Sequence, residues 1–316
     1  RSVAMIIKEK IAKIFRSGLT MISPILNTKV TYYVKFHRKL DLTNPRTLNE
    51  KILWLKLNNY WNNPLIKQCA DKYRVRDYIT QQGLVNLLNP LIADFEDVDQ
   101  INWKNLPSSF ALKLNVGCGC NIIVNDKKSL NIDKTKSVFK KWMKKKFYLE
   151  HSEMQYKDVK PRILVEKYLG DIDGNRPQDY KFYCMNGKCK AILLCVNRDA
   201  NGHALYFFMD RNWNVLPYTW ESEKYSNFVP PKPEKLDLAI NHAEVLAEKF
   251  PFVRVDFYFV NNEIVFGELT FTPAGGMDRD LKYVPPHKDK DVDHILGEML
   301  SLDNKNYGHA SSVHIV

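Results

Sequence analysis

The 316-residue sequence lacks the features of fibrous, disordered and membrane-spanning chains. Its 13 glycines and 15 prolines are too few for a collagen-like or low-complexity architecture, and its 45% hydrophobic content is too high for intrinsic disorder. No run approaches the roughly 18 uninterrupted apolar residues that a membrane span needs. At ~100–200 residues per domain, the length predicts two or three packed units or one large interleaved fold.

The six cysteines lack the spacing of a structural metal site. No pair of C-x-x-C steps occurs, and no histidine falls at zinc-finger spacing. This ordinary usage predicts free, buried thiols in a reducing compartment, and therefore a cytoplasmic location. The first residue is Arg1 rather than Met, so we expect a trimmed or processed chain.

Acidic residues are in deficit, with 36 Asp and Glu against 47 Lys and Arg, for a net charge of +11. The excess predicts a polyanionic partner, which charge alone leaves open among nucleic acid, an anionic membrane, nucleotide phosphate and an acidic polymer. No helix-turn-helix, RNP or finger signature is present, so we expect no nucleic-acid partner. Seven lysines fall in one predicted helix at 134–146, where a solvated face needs no ligand.

Residues 3–22 form a second basic segment, in which apolar residues recur at helical spacing. These residues are Val3, Ile6, Ile7, Ile11, Ile14, Phe15 and Ile22. We expect this apolar face to pack against the protein's own core. The alternative is a basic helix that makes a peripheral contact with a membrane surface.

The order of predicted elements indicates an α+β fold, with a helical N-terminal region followed by mixed strands and helices. A T-x-x-E capping box at Thr47 begins a helix over 47–60, and another is predicted over 66–81. Strands at 179–185 and 190–196 flank an Asn-Gly pair that is typical of a hairpin.

A second predicted hairpin carries the densest chemistry, between residues 252 and 277. The first strand alternates strictly, with Arg254, Asp256 and Tyr258 on its polar face. On the second strand we assign Val265, Gly267, Leu269 and Phe271 to the apolar face, and Phe266, Glu268 and Thr270 to the polar face. Both apolar sets must enter one core, which predicts a three-residue loop at 261–263 and places Asp256 opposite Glu268.

Two carboxylates on paired strands, ~4.5–5.5 Å apart at the Cα atoms, repel each other unless a cation lies between them. Oxygen-only ligands favour Mg²⁺, and Thr270 adds a hydroxyl to the same face. Together with Arg254, this face suits a magnesium nucleotide with a reacting phosphoryl group or acyl phosphate. The alternative is a salt-bridged surface in which Arg254 neutralises the acids.

The order of motifs resembles the ATP-grasp fold, in which two α+β subdomains grip ATP. R-x-D at 254–256, E-x-T at 268–270 and P-A-G-G at 273–276 resemble its metal-binding end. The closer resemblance is to the TupA-like ATP-grasp family, named for teichuronopeptide synthesis. It covers roughly 30–285 and is carried by N-P-R-T-L-N-E-K at 44–51, A-D-K-Y at 70–73 and D-Y-K at 179–181, together with 268–276. No one motif is specific, but the ordered series is.

The resemblance implies a role for each candidate residue. Asp256 and Glu268 would bind Mg²⁺, with Thr270 a third ligand where the family usually has Asn. Lys72, Lys113 and Lys181 would hold the ATP phosphates, with Gly117 and Gly119 in the glycine flap that covers them; Lys181 could equally be a structural partner of Asp179. Glu166, Lys167 and Leu169 belong to the strand that would bind adenine, and Asp179 would contact ribose. Arg254 would stabilise the reacting carboxyl oxygens.

The same resemblance implies a carboxylate–amine ligase that works through an acyl phosphate. Its expected substrates are ATP, a uronic acid of a bacterial cell-surface polysaccharide precursor and an amine donor, at the inner face of the cytoplasmic membrane. Residues 1–90 would be the helical region, 91–168 the small subdomain and 169–316 the large one. The Thr270 departure leaves the number of metal ions open. A sugar kinase of the same fold and a non-catalytic basic glycan- or membrane-binding protein are the alternatives.

Four aromatic residues, Trp213, Tyr218, Trp220 and Tyr225, lie between the predicted core elements. We expect them to pack in the interior, and stacking on sugar rings is the alternative.

Overall fold

The computed structural model describes residues 3–170, 177–196 and 204–303, which form two antiparallel sheets with helices around them. The expected α+β class is confirmed. The α-helices are α1 (Val3–Ile22), α2 (Pro24–Phe36), α3 (Leu48–Leu55), α4 (Pro64–Ala70), α5 (Val75–Gln81), α6 (Ile132–Met143), α7 (Tyr148–His151), α8 (Trp220–Lys224), α9 (Leu236–Ala247) and α10 (Val292–Glu298). A π-helical segment, Lys56–Tyr60, continues α3.

The strands form a four-stranded and a six-stranded sheet. They are β1 (Leu91–Phe95), β2 (Phe110–Leu114), β3 (Asn121–Val124), β4 (Ile163–Lys167), β5 (Asp179–Met185), β6 (Lys188–Val196), β7 (Leu205–Met209), β8 (Val215–Leu216), β9 (Phe252–Val260) and β10 (Glu263–Thr270). The strand orders are β1-β4-β2-β3 and β10-β9-β5-β6-β7-β8. The first sheet lies within 91–168 and the second within 169–316, although the subdomain boundaries themselves stay a prediction.

The helical N-terminal region shares a core with the six-stranded sheet. Leu48, Ile52, Tyr60 and Tyr78 belong to the same buried cluster as the sheet residues Phe182 and Val255. The four-stranded sheet has a core of its own, in which Phe139 of α6 is fully buried. The N-terminal helices therefore form one wall of the structure that surrounds the larger sheet.

Of the two helices predicted over 47–60 and 66–81, the first is continuous in the structure and the second is broken. The capping box is present, with the Thr47 hydroxyl accepting from the Glu50 N–H, and the helix runs on through Tyr60 as expected. The helix predicted over 66–81 is instead broken between α4 and α5. An Asp71 carboxylate oxygen accepts from the N–H groups of Tyr73 and Arg74, which turns the backbone out of the helix.

The apolar face of α1 is exposed, contrary to the expectation that it packs on the core. Ile11, Ile14 and Ile22 have 61%, 73% and 78% of their surface accessible. The polar side of α1 faces the protein instead: the Thr20 hydroxyl donates to Leu149 O at 2.6 Å and Arg16 pairs with Glu150 at 3.1 Å. Of the helices within the described ranges, none is long and apolar enough to cross a membrane.

Most of the smaller predictions can also be compared with the structure. The Asn186–Gly187 hairpin of β5 and β6 is present, while the turn-rich stretch predicted at 170–177 lies largely outside the described residues. All six cysteines are free, but Cys118 is exposed rather than buried. Trp213 and Tyr218 are buried as expected, whereas Trp220 and Tyr225 are exposed.

The β9–β10 hairpin has the predicted pairing of Asp256 with Glu268 but not the predicted loop. A two-residue turn, Asn261–Asn262, joins the strands, and both residues have positive φ, which Asn tolerates in tight hairpins. A bulge between Phe266 and Glu268 then shifts the register by one residue.

The bulge also changes which side chains face the core. Ile264 and Phe266 are buried before it, and Leu269 and Phe271 are buried after it. The assignment of Phe266 to the polar face and of Val265 to the apolar face was therefore wrong. Gly267 lies in the bulge, where a Cβ atom would come within 2.9 Å of the Asp256 carbonyl oxygen.

Substituting Gly267→Ala tests the importance of this close approach. Overpacking at the bulge should lower the free energy of unfolding by about 1–3 kcal/mol. The control is Gly18→Ala in α1, where a Cβ would have no neighbour within 4 Å; it should raise stability by about 0.5–1 kcal/mol. Urea denaturation of both variants measures the difference, and equal effects would contradict the close packing.

Candidate active site

A cavity of ≈ 390 Å³ lies where the two sheets face each other. The larger sheet contributes Asp179, Lys181, Asp256 and Glu268 from β5, β9 and β10, and the smaller sheet contributes Lys113 and Glu166 from β2 and β4. The lining also includes the predicted site residues Lys72, Gly117, Gly119, Lys167 and Leu169. The structure therefore brings eleven of the thirteen predicted site residues to one cavity, while Arg254 and Thr270 line a second cavity beside it.

A row of charged side chains crosses three strands at the floor of the cavity. The register places Lys181 opposite Asp256 and Asp256 opposite Glu268. Lys181 Nζ donates to Asp256 Oδ2 at 3.1 Å. The three charged side chains form one row, with the cation at one end and the two acids beside it, because all three share one face of the sheet.

Arg254 binds the same aspartate with two hydrogen bonds. Its Nε donates to Asp256 Oδ1 at 2.7 Å and its Nη2 donates to Oδ2 at 2.6 Å. Nη2 also donates to the Thr270 hydroxyl, which in turn donates to Glu268 Oε1 at 3.0 Å. Arg254 thus neutralises Asp256 as the salt-bridge alternative predicted, but it does so in a buried position beside a cavity and not on an exposed surface.

The charges in this row shift one another's pKa values. Burial raises the pKa of the Glu268 carboxyl, but the cations Lys72, Arg254 and Lys181 outweigh burial and hold it below its usual value. Burial lowers the pKa of Lys181, but Asp256 and Asp179 together with other nearby groups outweigh burial and hold this pKa above its usual value. Glu268 is therefore ionised at neutral pH, and Lys181 is charged.

The other end of the cavity contains a second charged group. Lys113 Nζ lies 2.6 Å from Glu166 Oε2, and Arg76 lies 3.9 Å from Oε1 of the same carboxylate. The Glu166 carboxylate therefore pairs with two basic side chains, Lys113 and Arg76, that line this cavity. Sequence reasoning missed Arg76 and Asn89, which lie on α5 and before β1 outside any recognisable motif.

The backbone of Lys167 is already hydrogen-bonded. Its N–H donates to Pro90 O, and its carbonyl accepts from Asn89 Nδ2 at 2.9 Å. Two buried polar atoms beside it, Asn89 Oδ1 and the Tyr168 hydroxyl, have no hydrogen-bond partner within the described chain. A buried polar atom without a partner is costly, so these atoms are suited to a polar ligand such as a base.

The glycine turn between β2 and β3 is held against Lys72. Lys72 Nζ donates to Gly117 O at 2.9 Å and lies 3.9 Å from Glu268 Oε2. Gly117 has φ +83°, and a Cβ there would meet the Phe147 ring at 2.3 Å. The predicted strand–glycine turn–strand is confirmed, and Lys72 joins it to the carboxylate row.

The second cavity, of ≈ 510 Å³, lies on the other side of Glu268. It shares Lys72, Gly117, Cys118 and Glu268 with the first cavity. Other parts of its wall come from α2, α4, α7 and the segments that follow α7 and β10, and include Lys35, Glu153 and Thr272. Two adjoining cavities meet at one carboxylate, an arrangement in which two ligands could react.

The donor set fits a magnesium nucleotide. Mg²⁺ is usually bound through one or two carboxylates together with substrate phosphates. Among the described residues no group of three or more His, Cys, Asp or Glu is arranged to hold a metal by itself. Glu268, with 39% of its side chain accessible, has room for a cation, whereas Asp256 would have to exchange one of its present cationic partners.

Comparison with known proteins identifies one family. A family model described as TupA-like ATPgrasp matches residues 50–301. No curated protein matches the chain significantly.

Three solved structures illustrate the structural similarity. They are the ATP-grasp ligase PsnB complexed with a minimal precursor (12% identity, 75% of this chain and 61% of that chain, TM-score 0.42), the ADP complex of purK, an N5-carboxyaminoimidazole ribonucleotide synthetase (13%, 79% and 57%, 0.46), and D-alanine–D-alanine ligase from Bacillus anthracis complexed with ATP (16%, 65% and 55%, 0.36). This chain therefore spans about six-tenths of the length of those proteins.

Removing Arg254 should strongly destabilise the fold, because among the described residues it leaves the buried Asp256 with Lys181 as its one cationic partner. We expect Arg254→Met to lower the free energy of unfolding by about 3–5 kcal/mol. Lys67→Met is the control, since Lys67 pairs with an Asp158 that is 69% accessible; it should cost no more than about 1 kcal/mol. Denaturant titration measures the free energy of unfolding of both variants. Similar losses of stability in the two would show that the pairing of Arg254 with Asp256 does not stabilise the fold.

Proposed function

The chain belongs to the TupA-like ATP-grasp family, and we propose that it is an ATP- and Mg²⁺-dependent carboxylate–amine ligase. The observation that carries the proposal is the charged row Lys181–Asp256–Glu268, with Arg254 behind it, at the junction of two cavities. A nucleotide in the first cavity would have its terminal phosphate beside Glu268, where the second cavity begins.

The cationic side chains would hold the triphosphate in place. Lys113 and Lys72 line the nucleotide cavity near the glycine turn, and Lys181 lies at its floor. Mg²⁺ bound to Glu268 and Asp256 would neutralise the charge that develops on the transferred phosphoryl group. Thr270, whose hydroxyl already bridges Arg254 and Glu268, would keep the Glu268 carboxylate oriented.

The proposed reaction has two steps. A substrate carboxylate oxygen attacks the γ-phosphorus of ATP, the bond to the β-phosphate oxygen breaks, and ADP leaves. A neutral amine then attacks the acyl carbon, and the bond to phosphate breaks, releasing inorganic phosphate and one proton. Arg254 lies beside the junction of the cavities, where its guanidinium would stabilise the carboxyl oxygens as charge builds up.

We propose a uronic acid of a bacterial cell-surface polysaccharide precursor as the carboxylate substrate, and an amino acid or amine as the nucleophile. The family, named for teichuronopeptide synthesis, and the basic character of the chain support this choice. The corresponding location is the cytoplasm, at the inner face of the membrane where such precursors are assembled.

Nucleotide binding is the first test. Millimolar Mg-ATP should raise the melting temperature of the full chain, since a ligand at about 100 Kd stabilises the native state by about 2.7 kcal/mol. Glu268→Gln should lose the magnesium-dependent part of the shift. The control Glu263→Gln, an exposed position of the same hairpin, should keep it. Absence of any shift in the unmodified protein would refute the ATP assignment.

The reaction class requires a second measurement. With Mg-ATP, candidate uronic acids and candidate amines, phosphate release should need both substrates, and the amide product should be detectable by mass spectrometry. A stable phosphorylated sugar formed without an amine would show a kinase instead.

A further inference from the structure

The second cavity contains one acid that the proposed reaction has not used. Glu153 lines it and is half-buried. Among the described residues the Thr272 hydroxyl alone donates to its carboxylate, at 2.5 Å, and no basic side chain lies within 4 Å. Burial raises the pKa of this carboxyl, as expected for an acid with little compensation.

The other two acids of the cavity already have partners. Glu150 pairs with Lys13 at 3.0 Å and with Arg16 at 3.1 Å. Glu268 lies at the boundary with the nucleotide cavity, near Lys72 and Arg254. Glu153 is thus the carboxylate of this cavity that is suited to a cationic group of a ligand.

Among the basic side chains that line the cavity, most already have a partner and one, Lys35, does not within the described residues. Lys72 donates to Gly117 O, Lys145 lies over the Phe147 ring and Arg254 binds Asp256. Burial lowers the pKa of His151 to about 4, so this ring is neutral. Lys35 has no hydrogen bond or carboxylate within 4 Å among the described residues, and it is the cation suited to an anionic group.

Resting on the proposed function, we infer that the second cavity binds the amine substrate as a zwitterionic amino acid, with its ammonium on Glu153 and its carboxylate on Lys35. Before the attack on the acyl carbon, the ammonium passes one proton to the Glu153 carboxylate, which leaves the neutral amine that the reaction requires. The cavity volume of ≈ 510 Å³ is ample for an amino acid beside the acyl group. An ammonium donor supplies the partner that the Glu153 carboxylate lacks, and a charge-assisted hydrogen bond is stronger than a neutral one.

Binding of small probes to the full chain tests this inference. The 20 common L-amino acids are titrated in the presence of Mg-ADP and observed by saturation-transfer NMR and calorimetry. At least one should bind, whereas its N-acetyl derivative and its methyl ester should bind about tenfold more weakly, because each lacks one charge. Glu153→Gln should weaken the amino acid about tenfold, and Lys35→Met should do so for the amino acid but not for its ester.

Asp158→Asn is the control, since this acid lies outside the cavity, pairs with Lys67 at 3.1 Å and is 69% accessible; it should leave amino-acid binding unchanged. Mg-ADP binding should be equal in all variants. If Mg-ADP binds and no amino acid does, or if Glu153→Gln and Lys35→Met bind normally, the inference is wrong while the proposed function stands. Failure of Mg-ADP itself would refute the proposed function.

A different observation, the exposed face of α1, carries a second inference. Ile7, Ile11, Ile14 and Phe15, with Met21 and Ile22, have 50–78% of their surface accessible. At about 100° per residue these six side chains form one stripe along the helix. Contiguous exposed apolar surface of this kind marks an interaction site.

The charges around the stripe indicate its partner. Residues 3–40 contain eight Lys and Arg and one acid, Glu9, which accounts for +7 of the whole chain's +11. On the helical wheel the exposed Lys8 and Lys10 lie on opposite borders of the stripe. Two such faces of like charge would repel in a symmetric dimer, whereas lysines flanking an apolar stripe can reach lipid phosphates.

The geometry points to an anionic lipid bilayer as the surface on which α1 lies, with its stripe among the acyl chains and its basic borders at the headgroups. The helix lies in the interface and does not span it. The side of α1 that carries Arg16 and Thr20 is then free to keep its contacts with the protein.

Vesicle flotation of the full chain tests this surface. Vesicles of phosphatidylcholine with phosphatidylglycerol should bind the protein, and phosphatidylcholine alone should bind it poorly. Ile11→Asp with Ile14→Asp should reduce the bound fraction about tenfold. Val284→Asp, at an aliphatic residue 53% accessible elsewhere, should not. Absence of binding by the unmodified chain, equal binding by the double variant, or a dimer that the double variant abolishes would each overturn the inference.

Discussion

The buried contact between Arg254 and Asp256 is the interaction on which the rest of the site depends. The Asp256 side chain is 6% accessible, so both of its oxygens must be bonded within the protein. Arg254 from the same strand and Lys181 from β5 supply those bonds. The site therefore requires the pairing of β5 with β9, and the Gly267 bulge is needed to add Glu268 to the same row.

The N-terminal helices complete the site from the other side. Lys56 is fully buried and donates to His151 O at 2.8 Å and to Gly275 O at 3.4 Å, so it joins the π-helical segment after α3 to two walls of the second cavity. Burial lowers its pKa to about 8. The Tyr60 hydroxyl donates to Phe252 O at the start of β9. The helical region is thus part of the structure that shapes the cavity.

The sequence alone was sufficient for the fold class and for the pairing of Asp256 with Glu268, because alternation and a shared core leave few registers. It did not predict the length of the turn or the bulge that produce this pairing. A three-residue loop and a two-residue turn with a bulge give the same partners, and only the tolerance of Asn261 and Asn262 for positive φ distinguishes them. The burial of Phe266 and the break of the 66–81 helix at Asp71 likewise depend on local hydrogen bonding and close approach, which periodicity does not report.

Glu153 could not be identified in advance, since its role depends on which neighbouring charges remain unpaired in the folded chain.

The position of α1 connects the two inferences. Its inner side contacts α7 and the residue after it: Arg16 bonds Glu150, and Thr20 bonds Leu149 O and the Ser152 hydroxyl. Glu153 follows Ser152 directly. A helix lying on a membrane would therefore hold the segment that carries the ammonium-binding carboxylate, and the second cavity would lie close beneath the lipid surface. A polymer precursor attached to that surface could then reach the junction of the cavities while ATP enters from the side of the two sheets. On this arrangement, loss of the Arg16–Glu150 contact would leave the exposed stripe of α1 able to bind the membrane. The segment that carries Glu153 would lose its hold on α1, so amine binding would weaken while membrane binding remained.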